Sequence, residues 1–454
     1  QGVSELLMDC HHALEHGDTE FAGALLLEHC HSSPDDPEGW VMLCRFLIDG
    51  GKAPFAYPVA KQAALAHRSW KTMMMLGATE ASLQMAKQAT KTLKRALAMM
   101  PKNESPENLA IVYRLMANAC VQGYQFKQAE TYAQKSLAIE SHHQAHTAYA
   151  FSKLHQREWQ TGWQHYVHQL GHAEFREKHD YGLPEWQGEP DAKLMVYGEQ
   201  GLGDQIAFMS ACPVTPAQIN CNPKLETLFK RTFPRSEVYG KQFEKEFTPE
   251  IKATHQTSMA TMMQWSDMKR RGAYLKVSDE KKLMYRGLID SLSDKPKIGI
   301  AWTGGTVGSD GWRTRKLDLQ QLSPLLHEDY TFVSLQYKDF KDDIESFKWE
   351  TGIKIHDFPW GSMSSDYEDT AALVEALDAI VCVPTTAYHL AGALGKPAYV
   401  LVHEQPHWHE GLEGECPWWE SVEFYRRKQL GTEKAIQTVI TRLKAKFYAL
   451  QGAA

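Results

Sequence analysis

The sequence predicts two kinds of structure in one chain: an all-α array of helical hairpins, followed by an α/β region of two lobes. Small residues recur along the first part with a period of about 34 residues, which is typical of stacked helical hairpins. From residue 193 onward, short apolar segments alternate with glycine-rich turns and helical patterns, which predicts parallel sheets. The glycines and prolines of 180–190 indicate a linker, and we predict the domain boundary there.

The first 180 residues are predicted to form tetratricopeptide-type repeats. Successive units are expected to begin near Val3, Pro37, Trp70 and Ala110. In the second unit, Ala56, Ala60 and Ala63 fall on one face of a helix, where small side chains let two helices approach closely. Pro34 and Pro101 stand where a second helix should end. A generic bundle with alanine-rich seams is the alternative. Stacked repeats would offer a concave groove for a protein or peptide partner.

Composition favours a cytoplasmic protein without a membrane span. The formal net charge is −7, which disfavours a nucleic-acid-binding role. No apolar run approaches the roughly 20 residues that a membrane-spanning helix needs, and the first residues lack the basic-then-apolar pattern of a secretory signal. None of the eight cysteines forms a C-x-x-C pair, so we expect buried thiols in a reducing compartment.

The α/β region is predicted to contain a first lobe over 190–295 and a second over 296–454. In the first, the apolar strand 194–197 leads into the turn 198–204 and then a helix. In the second, the predicted strands are 298–302, 332–335, 379–383 and 398–402. A helix is expected to open at Thr385-Thr386. Two such lobes predict a cleft between them, where ligands usually bind.

Four motifs in chain order resemble those of a known enzyme family. They are Gly198-Glu199-Gln200-Gly201-Leu202-Gly203-Asp204, the pair of segments 300–304 and 334–336, the stretch 370–397, and Cys416-Pro417-Trp418-Trp419. Together they resemble the bacterial tetratricopeptide-repeat glycosyltransferases, which are related to the lipopolysaccharide (ADP-heptose) heptosyltransferases. With the repeats in front, the resemblance covers nearly the whole chain.

This resemblance implies a GT-B fold of two Rossmann-like lobes, the first on the acceptor side and the second holding a nucleotide sugar and ending in a closing helix. It implies an inverting transfer that needs neither a metal nor another cofactor. The implied acceptor is a protein Ser or Thr, as in flagellin, or a glycan, presented with help from the repeats. The competing hypotheses are a catalytically degenerate scaffold that binds proteins, and a structural repeat protein with an unrelated α/β domain.

The resemblance also suggests which residues do the chemistry. Inverting transfer needs a base for the acceptor hydroxyl and groups that stabilise the departing diphosphate. Asp204, at the glycine turn, matches the family's proposed base, although Asp also suits a helix N-cap. His389 matches the family's diphosphate site at a helix start, where backbone N–H groups favour phosphate. Thr385, Thr386 and Ala387 would line that site, with capping threonines and a packed histidine as the alternative.

Further candidates lie in the loops. Lys316 is predicted to act with Arg315 in neutralising the leaving group, unless both belong to a solvated basic turn. The remaining candidates for substrate or nucleotide binding are Glu199, Gln200, Gly203, Thr303, Gly304 and Gln336.

Two features depart from a simple match. Members of the resembled family carry Asp before the Thr of the second-lobe loop, whereas this chain has Pro384, which offers neither a carboxylate nor an N–H. Either the donor differs or the site has lost activity, and the second alternative is the degenerate scaffold. The segment 403–410 is rich in His and Glu, but its spacing matches no strong metal signature, and we predict no metal site. In the family, a polar and aromatic loop at this place borders the donor site.

Overall fold

The computed structural model describes residues 5–172, 176–304 and 315–449. The chain divides into two compact units, Gln1–Lys153 and Leu154–Ala454. This division lies earlier than the predicted boundary at 180–190, because Trp163 packs against the aromatic rings of Phe208 and Trp408 in the α/β region. Among the described residues, no helix is both long enough and apolar enough to cross a membrane.

The first unit is an array of helical hairpins, as predicted. Its helices are α1 Glu5–Glu15, α2 Thr19–Ser32, α3 Pro37–Asp49, α4 Ala53–Ala66, α5 Trp70–Ser82, α6 Ala86–Met99, α7 Pro106–Gln122, α8 Phe126–Leu137 and α9 His143–His155, the last of which continues into the second unit. The fourth hairpin begins at Pro106 rather than near Ala110. Ser105 caps this helix by accepting a hydrogen bond from Asn108 N, and proline suits the first helical turn.

Small side chains form the seams between these helices. Ala56, Ala60 and Ala63 are all buried, as their spacing predicts. At Gly77 the approach is so close that a Cβ would lie 2.6 Å from Cγ of Leu93. The helical-repeat assignment is therefore confirmed by the packing of the hairpins themselves, and such arrays build extended surfaces from local contacts.

The second unit contains two separate parallel sheets. The first has the order β3-β2-β1-β4 and the second the order β10-β9-β8-β5-β6-β7. The strands are β1 Leu194–Tyr197, β2 Gln218–Asn220, β3 Glu237–Tyr239, β4 His255–Ser258, β5 Lys297–Ala301, β6 Thr331–Ser334, β7 Ile355–His356, β8 Ala379–Cys382, β9 Ala398–Val402 and β10 Val422–Arg426. This is the α/β architecture that the alternation of elements predicts.

Helices surround both sheets. After α9 they are α10 Trp159–Tyr166, α11 Leu202–Ser210, α12 Glu226–Thr232, α13 Asp279–Asp290, α14 Leu319–Leu322, α15 Lys341–Thr351, α16 Pro359–Ser362, α17 Tyr367–Glu375, α18 Thr386–Ala393, α19 Arg427–Leu430 and α20 Thr432–Tyr448. The final helix packs Ile436, Val439 and Leu443 into the core of the second sheet.

The strand order determines where a ligand can bind. In each sheet, the chain starts at an inner strand and then adds strands on both sides, so the direction of addition reverses beside β1 and beside β5. In open parallel sheets, ligands bind at such reversal points, beyond the carboxyl ends of the strands. The segment 198–204 follows β1, and the segments 302–304 and 383–385 follow the paired strands β5 and β8.

Candidate active site between the two sheets

Residues from both sheets line one cavity of about 440 Å³. Its walls come from the turn after β1, the loop after β8 with the start of α18, and the segment 403–410. The lining residues are Gly201, Leu202, Gly203, Asp204, Arg315, Tyr337, Pro384, Thr385, Thr386, Tyr388, His389, His409 and Glu410. The structure therefore brings together the predicted base, the predicted diphosphate site and one of the two predicted cations.

Asp204 lies in the first turn of α11 and is hydrogen-bonded to a histidine from the second lobe. Its Oδ1 lies 2.6 Å from Nε2 of His409, and the two side chains are 24% and 18% exposed. Burial acts to raise the pKa of Asp204, but the hydrogen bond and the charge of His409 outweigh it and hold that pKa below its usual value. Asp204 is thus an ionised carboxylate paired with an imidazole.

His389 is buried one turn into α18 and also lines the cavity. Its Nδ1 accepts a hydrogen bond of 3.1 Å from Nε1 of Trp419. Burial, together with the neighbouring His409, lowers the pKa of His389 to about 3. The ring is therefore neutral at physiological pH, and the proton on its Nε2 can serve as a hydrogen-bond donor.

Arg315 supplies the positive charge of the cavity. Its Nη1 donates to the carbonyl oxygen of Pro384 at 3.3 Å, and its Nη2 lies 2.6 Å from Nε2 of His407. Burial and the guanidinium keep the pKa of His407 well below its ordinary value, so that this imidazole is a neutral acceptor. Pro384 thus helps to hold the cation through its carbonyl group. The residues 305–314 of the preceding loop lie outside the described part of the chain.

The start of α18 packs closely on the glycine turn of the first lobe. A Cβ at Gly203 would lie 3.3 Å from both Oγ1 of Thr386 and Cδ2 of His389, so that only glycine leaves this approach uncrowded. Thr385 caps the helix by accepting a hydrogen bond from Ala387 N at 3.2 Å. Gly304 contacts the same loop, since a Cβ there would lie 2.5 Å from Cγ2 of Thr385.

A second, more apolar cavity of about 180 Å³ adjoins the first. The two share Leu202, Tyr337, Thr385 and Thr386 as lining residues. The second is also lined by Lys224, Ala301, Thr303, Leu335, Ser362, Met363, Ser364, Tyr367, Thr370, Val374, Ala387 and Leu390. A polar cavity beside an apolar one can accept a ligand with one charged and one aromatic part.

Three residues that were predicted to bind the ligand instead make hydrogen bonds or ion pairs within the protein, next to the site. Glu199 is buried in an ion pair with Arg176, at 3.3 Å. Gln200 donates to the hydroxyl of Tyr166 at 2.7 Å. Gln336 is also buried: its Oε1 accepts from Trp302 N, and its Nε2 donates to Oγ1 of Thr303. These contacts fix the loops after β1 and β5, and leave the amide of Gln336 engaged within the protein.

Lys316 is placed apart from the other predicted catalytic residues. It lines a different cavity, of about 300 Å³, together with Trp302 and Glu350, and its Nζ lies 3.5 Å from Oδ1 of Asp318. Although the two residues are adjacent in sequence, only Arg315 enters the lining of the Asp204 cavity. The structure thus gives Arg315 the position that was predicted for the pair.

Two arginines hold the loop that carries His409. Arg157, in the turn before α10, donates to the carbonyl oxygen of Glu410 at 3.1 Å. Arg426 donates to the carbonyl oxygens of Gly411 and Glu410, both at 2.7 Å. The His409 ring itself stacks on Trp408, with centroids 3.6 Å apart. The loop is therefore fixed by contacts to its backbone, and the His409 side chain lines the cavity.

The partnership of Asp204 and His409 is the main feature that sequence reasoning missed. From the sequence, His409 belongs only to a segment rich in His and Glu whose spacing matches no strong metal signature. In the structure, Nε2 of His409 is committed to Asp204 and that of His407 to Arg315. Among the described residues, no group of three or more His, Cys, Asp or Glu is arranged to hold a metal ion. The only sequence signal is the histidine-rich segment 403–410 itself.

Comparisons with known proteins identify one curated relative and several solved structures. No protein-family profile matches the chain. It is 26% identical over 297 residues to Protein FlbA of Caulobacter vibrioides, an alignment that covers 57% of this chain and 48% of the relative. The chain thus spans about half the length of that relative.

Two of the solved structures illustrate the structural comparison. MamA from Desulfovibrio magneticus is 19% identical, with a TM-score of 0.30 and coverage of 36% of this chain and 89% of that one. A thermophilic TPR protein of Thermus thermophilus is also 19% identical, with a TM-score of 0.32 and coverage of 36% and 87%.

Proposed function

We propose that this protein is an inverting, metal-independent glycosyltransferase of the GT-B type, which moves a sugar from a nucleotide-sugar donor to an acceptor hydroxyl. One observation carries the proposal: Asp204 and Arg315 line the same cavity, at the facing reversal points of two parallel sheets. Inversion requires a proton acceptor on one side of the anomeric carbon and charge stabilisation for the leaving diphosphate on the other. The Asp204 side of the cavity supplies the first and Arg315 the second.

The diphosphate is proposed to bind between Arg315 and the start of α18. The guanidinium provides a fixed positive charge and planar N–H donors, which suit phosphate oxygens and can replace a divalent cation. The neutral ring of His389 and the positive end of the helix add donors on the other side. In this arrangement the nucleoside occupies the adjoining apolar cavity, beside Tyr337 and Met363.

The acceptor is proposed to be a protein, such as a flagellin-like Ser or Thr substrate, or a glycan. The helical-repeat array supports this proposal, because stacked hairpins provide the kind of extended surface on which peptides bind. A nucleotide-sugar donor and the reduced state of the eight cysteines suit a cytoplasmic location.

The first test is donor binding by the full chain. UDP, GDP, ADP and CMP are each added to wild type and to Arg315→Gln in a thermal-unfolding assay. A ligand at about 100 times its dissociation constant adds roughly 2.7 kcal/mol of stability. We expect one nucleotide to stabilise wild type and to lose most of this effect in the variant.

Turnover then tests the chemistry. With the sugar conjugate of the nucleotide that binds, Asp204→Asn should lower the rate of nucleotide release by about 10²–10⁴-fold, the range typical of disabled general-base catalysis. Asp294→Asn changes an exposed aspartate by the same chemistry and should leave the rate unchanged. Equal rates in both variants would contradict a catalytic role for Asp204.

A catalytically degenerate scaffold is the second candidate function. Pro384 supports it, because this position lacks the carboxylate that the related enzymes carry. The N–H of Ala387 is also already satisfied by Thr385, which removes one donor from the start of α18. If none of the four nucleotides stabilises the protein, the scaffold is the better proposal.

A further inference from the structure

We propose that His409, held by Asp204, is the group that removes the acceptor proton, through its Nδ1 atom. This inference rests on the proposed transfer reaction and assigns the proton to a specific atom of the same site. It makes Asp204 the residue that positions and stabilises the imidazole, in place of a base acting alone.

Geometry is the first argument. Oδ1 of Asp204 lies 2.6 Å from Nε2 of His409, a distance typical of a strong bond to a carboxylate. An ionised carboxylate can only accept, so Nε2 carries the hydrogen, and in the neutral imidazole the lone pair is left on Nδ1. Within residues 5–172, 176–304 and 315–449, Nδ1 of His409 makes no hydrogen bond, and the residue lines the cavity.

The ring is also held in one orientation. Trp408 stacks on its face, with an interplanar angle of 20°. Nε1 of Trp418 donates to the His409 carbonyl oxygen at 3.0 Å, which fixes the backbone of the same residue. A proton acceptor whose position is set by packing and by a carboxylate is the arrangement that general-base catalysis uses.

The carboxylate is less suited to take the proton directly. Its Oδ1 is already occupied by the bond to Nε2 of His409, so that oxygen is not free to accept a hydrogen bond from the acceptor hydroxyl. The ionisable groups that surround the pair are Tyr166, Arg176, Glu199, Arg315, His389, His407 and Glu410.

The step balances without any further reactant. The acceptor hydroxyl oxygen bonds to the anomeric carbon as the bond from that carbon to the diphosphate oxygen breaks. The electron pair of the broken bond leaves with the nucleotide diphosphate. The hydroxyl proton passes to Nδ1 of His409, and Asp204 stabilises the imidazolium that forms.

One experiment needs no substrate. In the ¹⁵N-histidine-labelled full chain, the His409 signals are identified by their loss in His409→Gln. Above neutral pH, we expect hydrogen on Nε2 and none on Nδ1, and we expect Asp204→Asn to abolish this preference. Hydrogen on Nδ1 in wild type would overturn the proposal.

The second experiment follows nucleotide release from the donor identified by thermal unfolding, as a function of pH. His409→Gln should lower kcat by about 10²–10⁴-fold, remove the acidic limb of the pH profile, and leave nucleotide-induced stabilisation unchanged. Added imidazole should partly restore turnover to His409→Gly. His327→Gln is the matched control, because His327 and Asp329 form an exposed pair of the same kind, 3.2 Å apart, and the rate should not change.

The two proposals fail in different ways. If wild type neither binds a nucleotide nor releases one from its sugar conjugate, the transferase proposal is wrong. If wild type turns over but His409→Gln keeps both its rate and its acidic limb, the transferase proposal stands and the His409 assignment is wrong.

Discussion

The two parallel sheets of the α/β unit are held together by different kinds of contact. In the second sheet, β8 and β9 are fully buried and consist almost entirely of apolar residues. In the first sheet, β2 and β4 contribute buried amides instead, since Gln218, Asn220 and Gln256 are each at most 2% exposed. Both sheets are parallel, and in both the strand order reverses beside an inner strand. The two sheets thus have similar topology, but their buried side chains differ in polarity.

The buried amides connect the first sheet to its loops. Gln256 accepts from Tyr181 N at 2.8 Å and donates to Oε1 of Glu185 at 2.9 Å. Gln218 accepts from Lys252 N and donates to the Glu250 carbonyl oxygen. The difference teaches that the second sheet is stabilised mainly by apolar burial, whereas the first depends on satisfied polar groups whose loss leaves partners unpaired.

The largest expected effect is in the apolar sheet. Phe332 is 1% exposed in the main core of the second lobe, so Phe332→Ala should destabilise the protein by about 3–5 kcal/mol, from lost burial and the cavity left behind. Urea unfolding measures the change. Trp349→Ala is the control, because Trp349 is 92% exposed and its removal should cost little. Equal costs would show that this core does not carry the stability of the lobe.

A smaller effect should follow in the polar sheet. Gln256→Leu makes the side chain apolar at a similar size but leaves Tyr181 N and its other partners without a bond, which should cost about 1–3 kcal/mol. Gln437→Leu makes the same change at an exposed position and should stay within about 0.5 kcal/mol of wild type. Unchanged stability for Gln256→Leu would remove the proposed distinction between the sheets.

The smallest effect is a pH dependence in the second lobe. Burial, aided by Arg315 and Arg427, lowers the pKa of His403 from 6.5 to about 3. As the pH falls, His403 is therefore protonated in the unfolded chain before it is protonated in the folded protein. The contribution of the neutral, buried His403 to the free energy of unfolding is complete above pH 6.5 and is lost as the pH falls toward 3. Between pH 6.5 and 5.5 the loss should be about 1 kcal/mol.

The comparison of wild type with His403→Gln isolates this contribution from those of the other histidines. Denaturant unfolding at the two pH values should show a smaller drop in the variant. Identical pH dependence in both proteins would show that folding does not lower the pKa of His403.

The contrast between the sheets also explains what the sequence could predict. The strands β5, β6, β8 and β9 were predicted because they are apolar and bounded by turn residues. The strands β2 and β4 were not, because Gln-Ile-Asn and His-Gln-Thr-Ser resemble surface segments until the partners of their amides are known. The hairpins were predicted because alanine periodicity is a local property of the chain.

In the candidate site, too, local patterns could be predicted and contacts between distant residues could not. Asp204, Thr385 and His389 were predicted to face a cleft because turns after parallel strands gather at one edge. The bond between Asp204 and His409 joins residues 205 positions apart, and no local pattern encodes such a contact. Arg315 and Lys316 are adjacent in sequence but line different cavities, a difference that residue spacing alone cannot predict.

The hydrogen bond from Arg157 to the loop beyond His409 determines where such a protein can be cut and joined to another domain. Arg157 adopts a φ of 62° in the turn before α10 and bonds the carbonyl oxygen of Glu410. A gene fusion that joins a foreign helical array to this α/β region at the linker near 180–190 would discard that arginine and the tryptophans of α10. The exchangeable module therefore begins upstream of Arg157, inside the first 180 residues that the sequence predicts to be repeats.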